Sequence, residues 1–202
     1  SLREGQSGSL TPAQRRQAGI IYSAALGLVS MATDLVELSR ARPDDDRAPF
    51  SVRAVMESVR DVVAPLAEEK QVEVRLVHLV ADHRQGDSAA LGRVLLNLAV
   101  NALHSTENGW VEMAAAADGE SSVRFQVLDT GPGIAPEMLE TLFSPIRPRP
   151  RRRGFGFSST GLGLGICRTL VGQMGGELFV DSQPGSGSRF WFTVDLPPLP
   201  EP

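Results

Sequence analysis

Hydrophobic positions divide the chain into a helical stretch, a polar linker and a region where helical and strand periods alternate. Ile21, Ala24, Leu28, Met31, Leu35 and Leu38 recur at alternating three- and four-residue steps, broadened by Ile20, Ala25, Ala32 and Val36. This is a heptad seam, the period by which one helix packs along another. Upstream, Thr11 suits an N-cap, Pro12 the first helical position and Gln14 the closing member of a capping box. The pattern predicts a helix over about residues 11–41. A lone helix cannot bury such a face. Its partner is either the domain that follows or a second copy. The charged, proline-containing segment Ala41–Pro49 reads as a solvated linker and favours the second copy.

Beyond the linker, Phe50–Val52 is a short strand candidate, and Val55, Val59, Val62, Val63 and Leu66 keep a helical period. Val72–Val77 alternates as a half-buried strand. Asp87 or Ser88 suits the cap of a helix running to about Ser105. Trp110–Ala116 and Val123–Leu128 read as strands joined by the turn Asp118-Gly119-Glu120. Residues 144–160 show no period and are rich in Pro, Arg, Gly and Ser, which predicts a long functional loop. A helix follows over about Gly161–Gly172. Glu177–Val180 and Phe190–Leu196 complete the strands, with a turn over Gln183–Gly187. His78 falls in a predicted strand and His83 in a predicted loop. About three helices and five strands predict an α+β fold: a two-layer α/β sandwich with a mostly antiparallel sheet, preceded by a long coiled-coil-like helix.

Composition narrows the function. The 202 residues suit one domain with an appendage, and the net charge of −4 does not favour nucleic acid. The one cysteine, Cys167, excludes an internal disulfide and fits a reducing compartment. No apolar run reaches the ~18 residues that span a bilayer. The opening Ser1-Leu2 reads as the start of a piece of something longer.

Three stretches carry candidate chemistry. On Leu91–His104, Asn97, Asn101 and His104 share a face apart from the apolar stripe of Leu91, Val94, Leu95, Leu98 and Ala102. The two amides either cap neighbouring backbone or supply a neutral oxygen to Mg²⁺, which keeps waters and phosphates as its other ligands. In Val127–Ile134 a strand runs into Asp129-Thr130-Gly131-Pro132-Gly133. This is either a plain Asp-Gly turn or a carboxylate placed to accept from an exocyclic amine, with glycines that admit a planar ring. In Ser159–Ile166 three glycines alternate with leucines at a helix start. Glycine costs about 0.5–1 kcal/mol against alanine inside a helix. They mark either a turn or a backbone that approaches phosphate at a helix N-terminus.

Taken in order, these stretches resemble the ATP-binding module of the GHKL superfamily, and most of all the catalytic domain of bacterial sensor histidine kinases. Asn97–His104 resembles the N box, Asp129–Ile134 the first glycine box, Leu142–Pro145 the F box and Thr160–Leu164 the second glycine box. Pro184–Phe192 is similar to the closing glycine box and last strand, and Asp34–Arg40 to the end of the second dimerisation-hairpin helix. The resemblance covers about residues 11–197. It implies a Bergerat-type fold, with three helices on one face of a mixed sheet. It implies a partial dimerisation hairpin and linker over 1–46 and a catalytic domain over 47–202, with an ATP lid over about 144–160. The implied cofactors are ATP and Mg²⁺, with Asn101 holding the metal. Asp129 would read the adenine amine. Gly131, Gly133 and Ile134 would line the base, with Ser188 on the adenine side and Phe143 near the lid. Thr160, Gly161, Leu162, Gly163 and Leu164 would meet phosphate. The implied partners are a response regulator receiver domain and a second copy joined through the N-terminal helix. The implied setting of this part is the cytoplasm, with membrane anchoring of the parent protein left open.

Departures from the family pattern bear on activity. Asn97 stands where gyrase-like members carry a Glu that activates water, and an amide cannot act as that base. His104 replaces a Lys or Arg near the phosphates, Ser159 the first glycine of its box, Ala90 a basic position and Ile146 the second F-box Phe. The lid arginines Arg147, Arg149, Arg151, Arg152 and Arg153 are either solvated or reach phosphate or an acidic partner. The acceptor histidine, with its acidic neighbour, is not among His78, His83 and His104, which predicts transfer to a histidine outside this sequence. The alternatives are a nucleotide-binding scaffold without turnover and a GHKL ATPase.

Overall fold

The computed structural model describes residues 47–77, 82–139, 142–143 and 162–199, together with Thr11, Gln14, Gln17 and Ile21. At the N-terminus the Thr11 amide donates to the Gln14 side chain (2.9 Å), and the Gln14 amide donates back to the Thr11 hydroxyl (3.3 Å). That is the predicted capping box, and Gln14, Gln17 and Ile21 are helical. Ile21, of the apolar seam, is exposed. The rest of the predicted 11–41 helix, the linker as far as Asp46 and the lid lie outside the described residues.

Strand β1 (Ala48–Ser51) leads directly into helix α1 (Val52–Lys70). The Ser51 hydroxyl accepts from the Ala54 amide at 3.0 Å and so caps α1. Gln71 ends it in the left-handed region, φ 56°. Strand β2 (Val72–Val77) follows, then β3 (His83–Gly86) and α2 (Ser88–Ser105). Asp87 caps α2 by accepting from the Ala90 amide at 2.8 Å. Strands β4 (Gly109–Ala117) and β5 (Ser122–Asp129) form a hairpin. A single turn, α3 (Pro136–Leu139), precedes α4 (Leu162–Gln173), and β6 (Leu178–Ser182) and β7 (Ser188–Asp195) close the fold.

The main sheet has five strands in the order β2-β4-β5-β7-β6. Only β2 and β4 run parallel; the other three pairings are antiparallel. Strands β1 and β3 form a separate two-stranded ribbon. Arg84 fastens it to the end of β7 by donating to the Leu196 carbonyl at 3.2 Å. Val123, Phe125 and Val127 of β5 turn to one face with Phe190, Phe192 and Val194 of β7. Helices α1, α2 and α4 cover that face, and Phe125 stacks on Phe192 with ring centroids 5.3 Å apart. The period-2 strands and period-3.6 helices thus meet in one core, as the sequence predicts.

Three expectations need correction. His83 belongs to a strand, β3, not a loop: a four-residue ribbon strand is too short to show a period in the sequence. Val52 begins α1 instead of ending a strand, because Ser51 caps there. The turn α3 escapes the tally for the same reason of length. His78 lies outside the described residues.

Candidate nucleotide-binding site

Helix α2 presents the amide stripe. Asn97 is buried, while Asn101 and His104 are half-buried further along. Burial first, and then the neighbouring Lys70 charge, hold the His104 imidazole below its ordinary pKa of 6.5. Lys70, at the end of α1, donates from Nζ to the main-chain carbonyl of His104 (3.0 Å) and to that of Leu103. A cation there meets the negative end of the α2 dipole. Neither the sequence spacing nor the family pattern points to Lys70, which lies in the last turn of a different helix.

The end of β5 supplies the carboxylate. Asp129 is only 6% exposed, and Oδ1 accepts from the Gly131 amide at 2.9 Å. Burial raises its pKa above the usual 3.8, opposed by the donors of Gly131 and Ser188. Register places Ser188 of β7 directly opposite Asp129.

Glycines hold the surrounding turns. Gly133 has φ 71°, and a Cβ there would stand 2.0 Å from the Gln183 carbonyl oxygen. Gly187 has φ 78°, and a Cβ there would stand 1.9 Å from the Asp129 carbonyl oxygen. The turn after β5 and the turn before β7 therefore interlock through backbone, and only glycine fits. The Gly185 amide adds a bond to the Pro132 carbonyl at 2.7 Å. Ser182 ties the same turns by accepting from the Ile134 amide (2.9 Å) and donating to the Gly187 carbonyl (2.8 Å), 3.0 Å from the Ser188 hydroxyl. Sequence reading missed Ser182, whose one signal is a hydroxyl just before the Gln183–Gly187 turn.

Gly131 leans on the end of α2: a Cβ would meet the Ser105 carbonyl oxygen at 3.0 Å. So the Asp129 turn, the β7 turn and the amide-bearing helix are in contact. Ile134 and Phe143 pack part-buried against the core, and Arg168 of α4 lies over the Phe143 ring at 5.7 Å. Helix α4 begins at Leu162, with Gly163 and Leu164 in its first turn. The Cys167 thiol meets the Val94 carbonyl at 3.9 Å, which seats α4 beside α2. Thr160 and Gly161 lie outside the described residues.

Three helices on one face of a mixed sheet, with a buried strand-end carboxylate beside a glycine-locked turn, define a domain of the GHKL class. Residues 86–198 match the family described as histidine kinase-, DNA gyrase B- and HSP90-like ATPase, and the chain belongs to that family. It is 33% identical over 203 residues to the sensor protein GacS of Pseudomonas syringae pv. syringae, covering 95% of this chain and 22% of that protein. It is 32% identical to the signal transduction histidine-protein kinase BarA of Escherichia coli strain K12, over 93% of this chain and 21% of that one. The chain thus spans about a fifth of the length of the curated relatives it matches. Among solved structures, full-length ShkA in complex with AMPPNP superposes with a TM-score of 0.72 at 29% identity, covering 97% of this chain and 42% of that chain. No helix among the described residues is long and apolar enough to cross a membrane.

Proposed function

We propose that this chain is the cytoplasmic, ATP-binding catalytic part of a sensor histidine kinase. It transfers the γ-phosphoryl group of ATP to a histidine on a dimerisation hairpin, for relay to an aspartate of a response regulator. The P–O bond to the β-phosphate breaks, an N–P bond forms at the imidazole, and ADP leaves. Catalysis of this kind rests on positioning and charge neutralisation.

Asp129 is the observation that carries the reading. Burial raises its pKa, and the donors of Gly131 and Ser188 oppose that rise. A buried carboxylate is costly, and an adenine amine offers the matching donor. Gly131 and Ser188 adjoin it, and the interlocked turn of Gly133 and Ile134 would form the wall that receives a flat base. Phe143, under Arg168, immediately precedes the lid residues in sequence. Leu162, Gly163 and Leu164, in the first turn of α4, offer backbone N–H groups to the phosphates, and Thr160 and Gly161 are assigned to the same contact by the sequence motif alone. Asn97 and Asn101 offer amide groups from α2, and His104 lies one turn beyond.

The donor set fits a magnesium ion that takes most of its ligands from phosphate and water. Among the described residues no three His, Cys, Asp or Glu side chains group together as a metal site. Asn101 would supply the single protein oxygen, and the ion would neutralise charge on the phosphates. The names of GacS and BarA, and the AMPPNP bound to ShkA, support the same reading. Calorimetric titration with AMPPNP and Mg²⁺ tests it. Saturable heat is expected, and none at high protein concentration overturns the proposal.

A further inference from the structure

The face of the five-stranded sheet away from the helices carries two rows of side chains that cross all five strands. Strand register aligns Val77, Ala114, Gln126, Trp191 and Phe179 in one row. Beside it run Arg75, Glu112, Leu128, Arg189 and Asp181. The first row is mostly apolar. Val77 is 48% and Phe179 39% exposed, two of the few large hydrophobics left open among the described residues. Phe179 stacks on Trp191 at 4.2 Å. An apolar band across an open sheet face marks a contact surface.

The second row tells what covers it. From β2 to β6 its charges read plus, minus, none, plus, minus, and within one copy Arg75 also pairs with Glu73 at 2.6 Å and Arg189 with Asp181 at 3.6 Å, all on the exposed face. Reversed, that order is minus, plus, none, minus, plus. A two-fold axis along β5, the middle strand, therefore sets Arg75 against Asp181 of a second copy and Glu112 against Arg189, twice each. Leu128 meets itself. The same rotation sets Val77 against Phe179, small Ala114 against bulky Trp191, and Gln126 against Gln126. A self-complementary patch is the requirement for a two-fold interface. One residue on the axis carries charge, Arg124, which follows Gln126 along the same face. It is paired with Asp118 at 2.8 Å and lies over the Trp191 ring at 5.5 Å. We propose that two copies of this chain associate face to face through this sheet, separately from any contact of their N-terminal helices.

The pairing predicts a test in trans. Arg75→Glu alone sets two like charges opposite each other at both ends, and so does Asp181→Arg alone. Mixed one to one, the two variants restore every attractive pair. Sedimentation velocity of the full chain across a micromolar range should reveal a concentration-dependent step. Each variant alone should weaken it at least about tenfold, because like charges facing each other across an interface are costly. The equimolar mixture should recover it. Recovery shows that both variants are folded and that the contact runs from residue 75 to residue 181 of another copy. Association of either variant at the parent strength, failure of the mixture to recover, or no such step in the parent chain overturns the proposal.

Discussion

The Lys70 ammonium group, at the end of α1, lies 3.0 Å from the main-chain oxygen of His104 in the last turn of α2. One cation thus caps the helix that carries both asparagines and also presses on the imidazole beside it. Lys70→Met should cost about 1–2 kcal/mol in urea unfolding, the range for a charged hydrogen bond at a helix end. It should also raise the His104 pKa, since the Lys70 charge is the second cause of its lowering after burial. An NMR titration of the imidazole reads that shift.

The sign at His104 follows from the same environment. Its folded pKa lies below 6.5, so the unfolded chain takes up the proton first. The group contributes stability above pH 6.5, and that contribution is lost as pH falls through the depressed value. His104→Gln should flatten this acid limb while leaving stability at pH 8 nearly unchanged. Urea unfolding at several pH values between 8 and about 5 measures it.

Two classes of glycine should respond in opposite ways. Gly187→Ala puts a Cβ against the Asp129 carbonyl at positive φ, and should cost about 2–4 kcal/mol or prevent folding. At Gly163 and Gly165 a Cβ meets none of the described residues within 4 Å. Alanine there should stabilise the chain by about 0.5–1 kcal/mol and weaken AMPPNP at least about tenfold, by crowding the phosphates. Thermal unfolding and calorimetry on the same samples separate the two effects.

Asp129→Asn should weaken ATP far more than GTP, because it alters the acceptor for the adenine amine. Equal loss for both nucleotides would contradict that role. Asn101→Ala should remove the enhancement of binding by Mg²⁺, read by titration with and without the ion.

Much of this architecture is legible in the chain because periodicity and caps agree. Val72–Val77 alternates and is a strand with the predicted ends, and Asp87 caps α2 where an N-cap is expected. Thr11 and Gln14 pair as their spacing implies. The shortest elements are not legible, since four residues such as His83–Gly86 complete neither period. At the site, Asp129, the glycines and Ser188 are readable as a motif and do come together. Their reasons are not all readable. Gly133 reads as room for a planar ring, yet it is demanded by backbone from the opposite turn, as is Gly187. Lys70 and Ser182 act through contacts 34 and 48 residues distant in sequence, which no local pattern encodes.

The pairing of Asp129 with Ser188 has a consequence for how the domain is made. The amide helix and the carboxylate strand are both synthesised before residue 130, but the turn that locks them arrives only with residues 182–188. The geometry proposed to receive a base is therefore completed late, by the β6–β7 hairpin of this domain. A nascent chain still short of that hairpin carries most of the recognisable motifs and lacks the clasp. A nucleotide that binds only the clasped domain favours it over the unclasped one by mass action.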